Sequence, residues 1–265
     1  TANTTINIDG NLDINGWTSE DPTSILIFNG GGAQNINWTG SPTFNNYQLG
    51  SLTVSNGTTL SLPSNADTRI NGNLTVAGTG ILNANGSLVA FNDFSAGDKT
   101  ISGGGTINFN DVSFTSNTTN LASGQAINIT GDVVFNANFA SADNGLVVFN
   151  GTTQQISGTT GSAQFGNFAI QTGTTVNSSM TNPFDLQISD LAVIDGTYNA
   201  DANTTVVLNG GATQEWRVNG AVNLTDVSVT AGTTVNESVA DDNTAVSGTI
   251  LNNGRINKET KPFTA

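Results

Sequence analysis

The feature that most constrains this chain is that it writes one segment four times. The copies are "ILIFNGGGAQNINWTG" (25–40), "LVAFNDFSAGDKTISG" (88–103), "LVVFNGTTQQISG" (146–158) and "TVVLNGGATQEWRVNG" (205–220). Their anchors Phe28, Phe91, Phe149 and Leu208 stand 63, 58 and 59 residues apart, and each is followed by Asn (Asn29, Asn92, Asn150, Asn209). A fixed internal period points to a repeat architecture, in which each unit buries its inner face only against its neighbours.

The other features of the unit keep their order. After the anchor comes a strand centred on Ile36, Ile101, Ile156 or Trp216, then alternating pairs: Leu52 and Val54, Val112 and Phe114, Phe168 and Ile170, Val227 and Val229. A Thr pair follows in every copy (Thr58-Thr59, Thr118-Thr119, Thr174-Thr175, Thr233-Thr234). A last apolar pair closes the unit: Leu74 with Val76, Val133 with Phe135, Leu191 with Val193, and less regularly Val246 with Ile250. The opening "INIDGNLDINGW" (6–17) matches "INGNLTVAGTGI" (70–81), so the chain starts with the final third of a unit.

Apolar residues alternate with polar ones at period two, in short runs rich in Val, Ile, Thr and Phe that end at Asp-Gly, Asn-Gly or Gly-Thr. That is the pattern of strands joined by tight turns. The expectation is an all-β, single-stranded parallel β-helix (β-solenoid), one domain over 1–265. It has about thirteen coils in four three-coil repeats: a partial unit 1–24, then about 25–87, 88–145, 146–204 and 205–265. In this arrangement like side chains stack, and the four anchors share one axis.

Composition narrows the function. Only 10% of residues are charged, and 20 carboxylates against six cations give a net charge of −14, which excludes nucleic acid as a partner. There is no Cys and no His, so thiolate chemistry, disulfides and the commonest general base and metal ligand are missing. No run of eighteen apolar residues offers a transmembrane helix. The absence of a charged-then-apolar leader fits a mature exported chain or an excised fragment.

The order FN-x-G…Q-x-I-x-G…G-T-T-V…I-x-G-x-L-x-V resembles the Asn/Gly/Thr-rich repeat region of large bacterial surface adhesins. These are β-helical, haemagglutinin- or autotransporter-passenger-like and Bacteroidetes-type exported repeat proteins. The matching stretches are "FNGTTQQISG" (149–158), "FGNFAIQTGTTV" (165–176) and "INGNLTVAGTGIL" (70–82). The resemblance implies export and an extracellular or cell-surface location, and says little about a ligand. It also implies a C-terminal anchoring module, which "NNGRINKETKPFTA" does not resemble.

Candidate chemistry is sparse. The acidic groupings Asp9 with Asp13, Glu20-Asp21, Asp190 with Asp195, and Asp241-Asp242 fall in or beside turns without a cationic partner. Glycoside cleavage needs at least a placed carboxylate pair, and calcium needs six to eight oxygen ligands in a defined loop. The expectation is therefore no enzyme: no catalytic, cofactor-binding or metal residues, with structural calcium unsupported. The four Asn following the anchors are expected as turn residues tolerant of the left-handed conformation. The Thr pairs recur too sparsely for an ice-binding array. Trp216 and Trp17 are expected in the core, and Trp38 is the candidate for an exposed ligand contact. Sequons such as Asn37, Asn73 and Asn223 occur at the frequency the composition alone gives.

The functional expectation is a structural or adhesive solenoid, a rod or fibre-forming subunit. It would associate end to end or continue in a longer chain, and its outside would meet glycans or cell surfaces. The alternatives are a carbohydrate-binding or carbohydrate-cleaving β-helix, or a passive spacer in a larger adhesin.

Overall fold

The segment 99–114 shows how these residues make one turn. Lys99–Ser102, Thr106–Phe109 and Asp111–Phe114 are three short strands. Ile101, Ile107, Phe109, Val112 and Phe114 point inward and are at most 1% exposed. The next turn lays Thr119–Leu121, Ala126–Ile129 and Val133–Phe135 on these strands in parallel, pairing Ile101 with Leu121, Ile107 with Ile127 and Val112 with Val133. One inward face per strand and one identical neighbour above and below is what period-two patterning supplies.

This computed structural model describes residues 4–15, 23–40, 46–91, 97–115, 117–237 and 244–258. Among them are thirty-two strands and no helix. The strands stack into three flat faces. The first holds Lys99–Ser102 and its equivalents, the second Thr106–Phe109, and the third Asp111–Phe114. The third face has ten strands and the other two have twelve each, the long strands Ser162–Ile170 and Phe184–Ile194 serving both, so the chain is a parallel β-solenoid of about ten complete turns with two further strands at each end. Its interior is one continuous apolar column from Ile14 to Val246. On the third face Phe91, Phe114 and Phe135 stack ring on ring at 5.5 and 5.4 Å, the offset aromatic geometry that adds to burial.

The sequence repeat is real, but it is not three turns long. Phe28 lies on the first face, Phe91 on the third, Phe149 on the second and Leu208 on the first again. Ile36, Ile101, Ile156 and Trp216 step in the same way, from second to first to third to second face. Each repeat covers eight strands, or two and two-thirds turns, so equivalent residues regress by one face per repeat. This corrects the expectation of three-coil repeats with anchors on one axis. The reason is chain length: on the third face the three turns from Val89 through Val112 and Val133 to Ile156 consume 67 residues, more than any of the repeat spacings.

A second correction concerns the closing pair of the third unit. Leu74, Val76, Val133 and Phe135 are buried, but Leu191 and Val193 face outward while Ala192 and Ile194 fill the core. The strand Phe184–Ile194 rounds a corner at Ser189 and Asp190, and the strand beneath it carries a register irregularity between Phe165 and Asn167. A one-residue change of phase sends every following side chain to the opposite face.

Candidate functional site

The repeated segment builds a corner rather than a pocket. Gln154 is 1% exposed, and its Nε2 donates to the carbonyls of Ile129 (2.9 Å) and Gly131 (2.6 Å) in the turn before it. Its Oε1 accepts from the Gly151 N–H at 2.9 Å. Gln34 repeats the arrangement, donating to Ile8 (3.1 Å) and Gly10 (2.7 Å) and accepting from Gly30 (3.3 Å). Gln214 donates to Ile188 at 2.5 Å. The turn above closes the corner with a buried threonine: Thr174 Oγ1 donates to the Gly151 carbonyl at 2.6 Å, and the hydroxyls of Thr58 and Thr233 accept from Gly31 and Gly211.

The glycine of Phe-Asn-Gly has its own reason. A Cβ at Gly30, Gly151 or Gly210 would lie 2.1, 2.0 or 2.1 Å from the carbonyl oxygen of Asp9, Thr130 or Ser189 in the turn beneath. Only glycine lets the two backbones approach so closely. The second unit departs from the pattern. Lys99 occupies the glutamine position, is 1% exposed, and donates to the Gly97 carbonyl at 3.3 Å.

The outside carries amide ladders. On the second face Asn128 donates to Asn108 at 2.9 Å and Asn108 to Asn83 at 2.8 Å. On the third face Asn223 donates to Asn199 at 2.7 Å and Asn199 to Asn177 at 2.8 Å. Asn257 donates to Asn236 at 2.8 Å, and Asn37 donates to the Asp13 carboxylate at 2.7 Å. Parallel in-register stacking places each amide one strand spacing from its copy, within hydrogen-bond reach.

Several residues singled out in the sequence take other places. Trp38 is 6% exposed and stacks on Tyr47 with ring centroids 5.8 Å apart. It is a core residue, and the expectation of an exposed contact is corrected. Trp216 is buried as expected at 4% exposure, and Trp17 lies outside the described residues. Asn29, Asn150 and Asn209 are not left-handed. Their N–H groups continue the ladder to Ile8, Ile129 and Ile188, and the left-handed asparagines are Asn85, Asn117 and Asn144. Asn92 lies outside the described residues.

One threonine of each pair is buried: Thr58, Thr119, Thr174 and Thr233. Asp195 accepts from Asn219 at 2.7 Å. Two shallow polar depressions recur at equivalent corners, one around Asp98, Thr118 and Asn138 and one around Thr174, Asp195 and Asn219. Each holds a single carboxylate. Among the described residues no three acidic side chains converge in a way that could hold a metal ion. Glu20-Asp21 and Asp241-Asp242 lie outside the described residues. A small apolar gap of about 20 Å³ between the last turns is lined by Leu208, Trp216, Val229, Val235 and Ile256, with Glu237 at its wall.

The glutamine was visible in the sequence. It precedes the inward Ile36, Ile156 or Trp216 by two residues in three of the four units, which puts it on the inward face. No family model matches the chain, and no curated protein and no solved structure matches it either.

Proposed function

We propose that this chain is a non-catalytic structural or adhesive rod, exported to the cell surface, whose working part is its outer faces. The observation that carries the reading is the division of labour across each strand. Inward positions form one apolar column, whereas outward positions on successive turns are mainly Asn, Thr and Ser, and the Asn amides bond along the rod. Such a construction extends an object without adding reactive groups. Ten turns at ~4.8 Å give roughly 50 Å of length. The adhesin-like repeat order and the acidic surface, which disfavours collapse onto like-charged neighbours, support the same reading.

The terminal turns join further material, either a continuation of the chain or a second copy. Among the described residues the outer edges of Thr5–Ile8 and Ile250–Asn252 carry no further strand, and Ile6, Ile250 and Leu251 are exposed there. Open strand edges of this kind recruit other strands. The carbohydrate-cleaving alternative needs an outward aromatic platform and a carboxylate pair. Burial of Trp38 and Trp216 takes two of its three tryptophans away.

The test is paired. Beads coated with the protein are assayed for retention on glycan arrays and cell surfaces, and the soluble protein is incubated with a polysaccharide panel. Retention without new reducing or unsaturated sugar ends is the expected result. Time-dependent release of such ends would overturn the non-catalytic reading.

A further inference from the structure

The second face carries a patch that departs from the rest of the outer surface. Along it, outward positions are mainly polar, as at Thr59 and Ser61 or Thr106 and Asn108, with isolated apolar side chains at Ile81 and Ala126. Across three successive turns they become Leu146 beside the largely covered Val148 (7% exposed), Asn167 and Ala169, and the half-buried Leu191 and Val193. The next turn presents Glu215 beside Leu191 and Arg217 beside Val193. These two form an ion pair with both side chains 47% exposed. Arg217 is one of only six cationic residues in the chain. The apolar patch exists because of the phase change described above, which turned Leu191 and Val193 outward.

We infer that this face packs against the same face of a second copy, the two rods lying side by side and pointing the same way. A two-fold axis along the rod keeps each turn level with its own copy and reverses strand direction. Position 215 of one copy then meets 217 of the other. Glu215 faces Arg217 of the second copy and Arg217 faces its Glu215, while Leu191 faces Val193 and Leu146 faces Val148. Among the described residues no like charges meet along the face: Thr106 falls opposite Asn108 and Ala126 opposite Asn128, while Arg255 lies one outward position further from the axis, in line with Thr213 and Thr234. An axis across the rod through the patch would instead set the Glu215–Arg217 pair against Ala126 and Asn128, so that neither charge gains an opposite charge across the contact. The charge pattern therefore selects the parallel arrangement.

Area agrees. Twelve strands at ~4.8 Å and a four-residue width of ~13 Å make the face roughly 750 Å², close to the ~800 Å² per partner of a standard interface. Its centre is apolar and its rim is amide and hydroxyl, the usual interface anatomy. The contact is lateral and self-limiting, and it is independent of whatever the other two faces bind.

Sedimentation velocity over a concentration series tests this on the full chain. Wild type is expected to show a monomer–dimer equilibrium. L191N/V193N is expected to weaken it at least tenfold, with circular dichroism unchanged because both residues lie outside the core. E215R and R217E singly should each weaken the dimer at least tenfold, and the double swap E215R/R217E should restore it to within about threefold. The swap keeps the inference testable even if L191N/V193N misfolds. A wild-type protein that stays monomeric at every concentration overturns it. So does a dimer indifferent to these substitutions, or one that the double swap fails to restore.

Discussion

Replacing Gln154 by leucine removes the corner clamp while keeping the side chain's volume. Three backbone groups lose a partner: the Ile129 and Gly131 carbonyls and the Gly151 N–H. Ile129 keeps the Asn150 N–H at 3.0 Å, so two groups, the half-buried Gly131 carbonyl and Gly151 N–H, are left without a protein partner. A buried unsatisfied group costs about 1–3 kcal/mol; with both groups half-buried and partly reached by water, the cost is about 1–3 kcal/mol in all. Gln154→Glu should cost more, because a carboxylate cannot donate to either carbonyl and brings a charge into the same space. The assay is denaturant unfolding together with native-state hydrogen exchange. Solenoids open locally, so the loss of protection should centre on Gly151, Gln154 and the Thr174–Val176 turn above. A cost below about 0.5 kcal/mol for Gln154→Leu, or an exchange change spread evenly over all turns, would refute the clamp.

The reverse substitution is available in the second unit. Lys99→Gln supplies the acceptor and paired donors of the other corners, and is expected to raise stability by about 1–2 kcal/mol in the same assay. Gly151→Ala places a methyl 2.0 Å from the Thr130 carbonyl oxygen, and overpacking of that kind should cost about 1–3 kcal/mol by denaturant midpoint. Asn108→Leu cuts the second-face ladder on both sides. It should cost about 1 kcal/mol and lower exchange protection at Asn83 and Asn128. Burial holds the Tyr47 and Tyr198 hydroxyls well above the ordinary tyrosine range. The folded state then keeps protons the unfolded chain gives up near pH 10, so stability is fully present below that pH and falls above it by about 1.4 kcal/mol per unit for each tyrosine. Melting followed from pH 8 to 12 should show the fall, and Tyr47→Phe/Tyr198→Phe should flatten it relative to wild type.

The strands were legible because inward and outward residues differ in most of them. In "TINF" or "DVSF" only one parity is apolar enough to face the core. In "LVVF" (146–149) and "LAVI" (191–194) both parities are apolar, so the side that faces the core is set by the geometry of the preceding corner, at Ser189 and Asp190 for the second of them, and not by local pattern. The Leu191–Val193 patch was hidden for that reason. The number of turns per repeat was hidden differently. Corner lengths vary, so successive first-face turns pair residues 20 apart at Thr119 and Phe139 but 27 apart at Leu74 and Ile101. Their sum is a property of the closed coil rather than of any motif. Trp38 could have been placed correctly. It shares parity with Gln34 and Ile36, both inward, and the alternation that identified the strand also buries the indole.

Everything rests on parallel winding with each strand beside the equivalent of the turn before. The chain has no cysteine of its own, so spin labels can be introduced in pairs at Thr59, Ile81 and Thr106, outward neighbours on three successive turns of the second face. Continuous-wave EPR of 59/81 and 81/106 is expected to show strong dipolar broadening from labels one strand spacing apart, about 5 Å at the backbone. The 59/106 pair, two spacings apart, should broaden far less. Sharp spectra for both neighbouring pairs, or equal broadening in all three, would contradict the solenoid and everything derived from it.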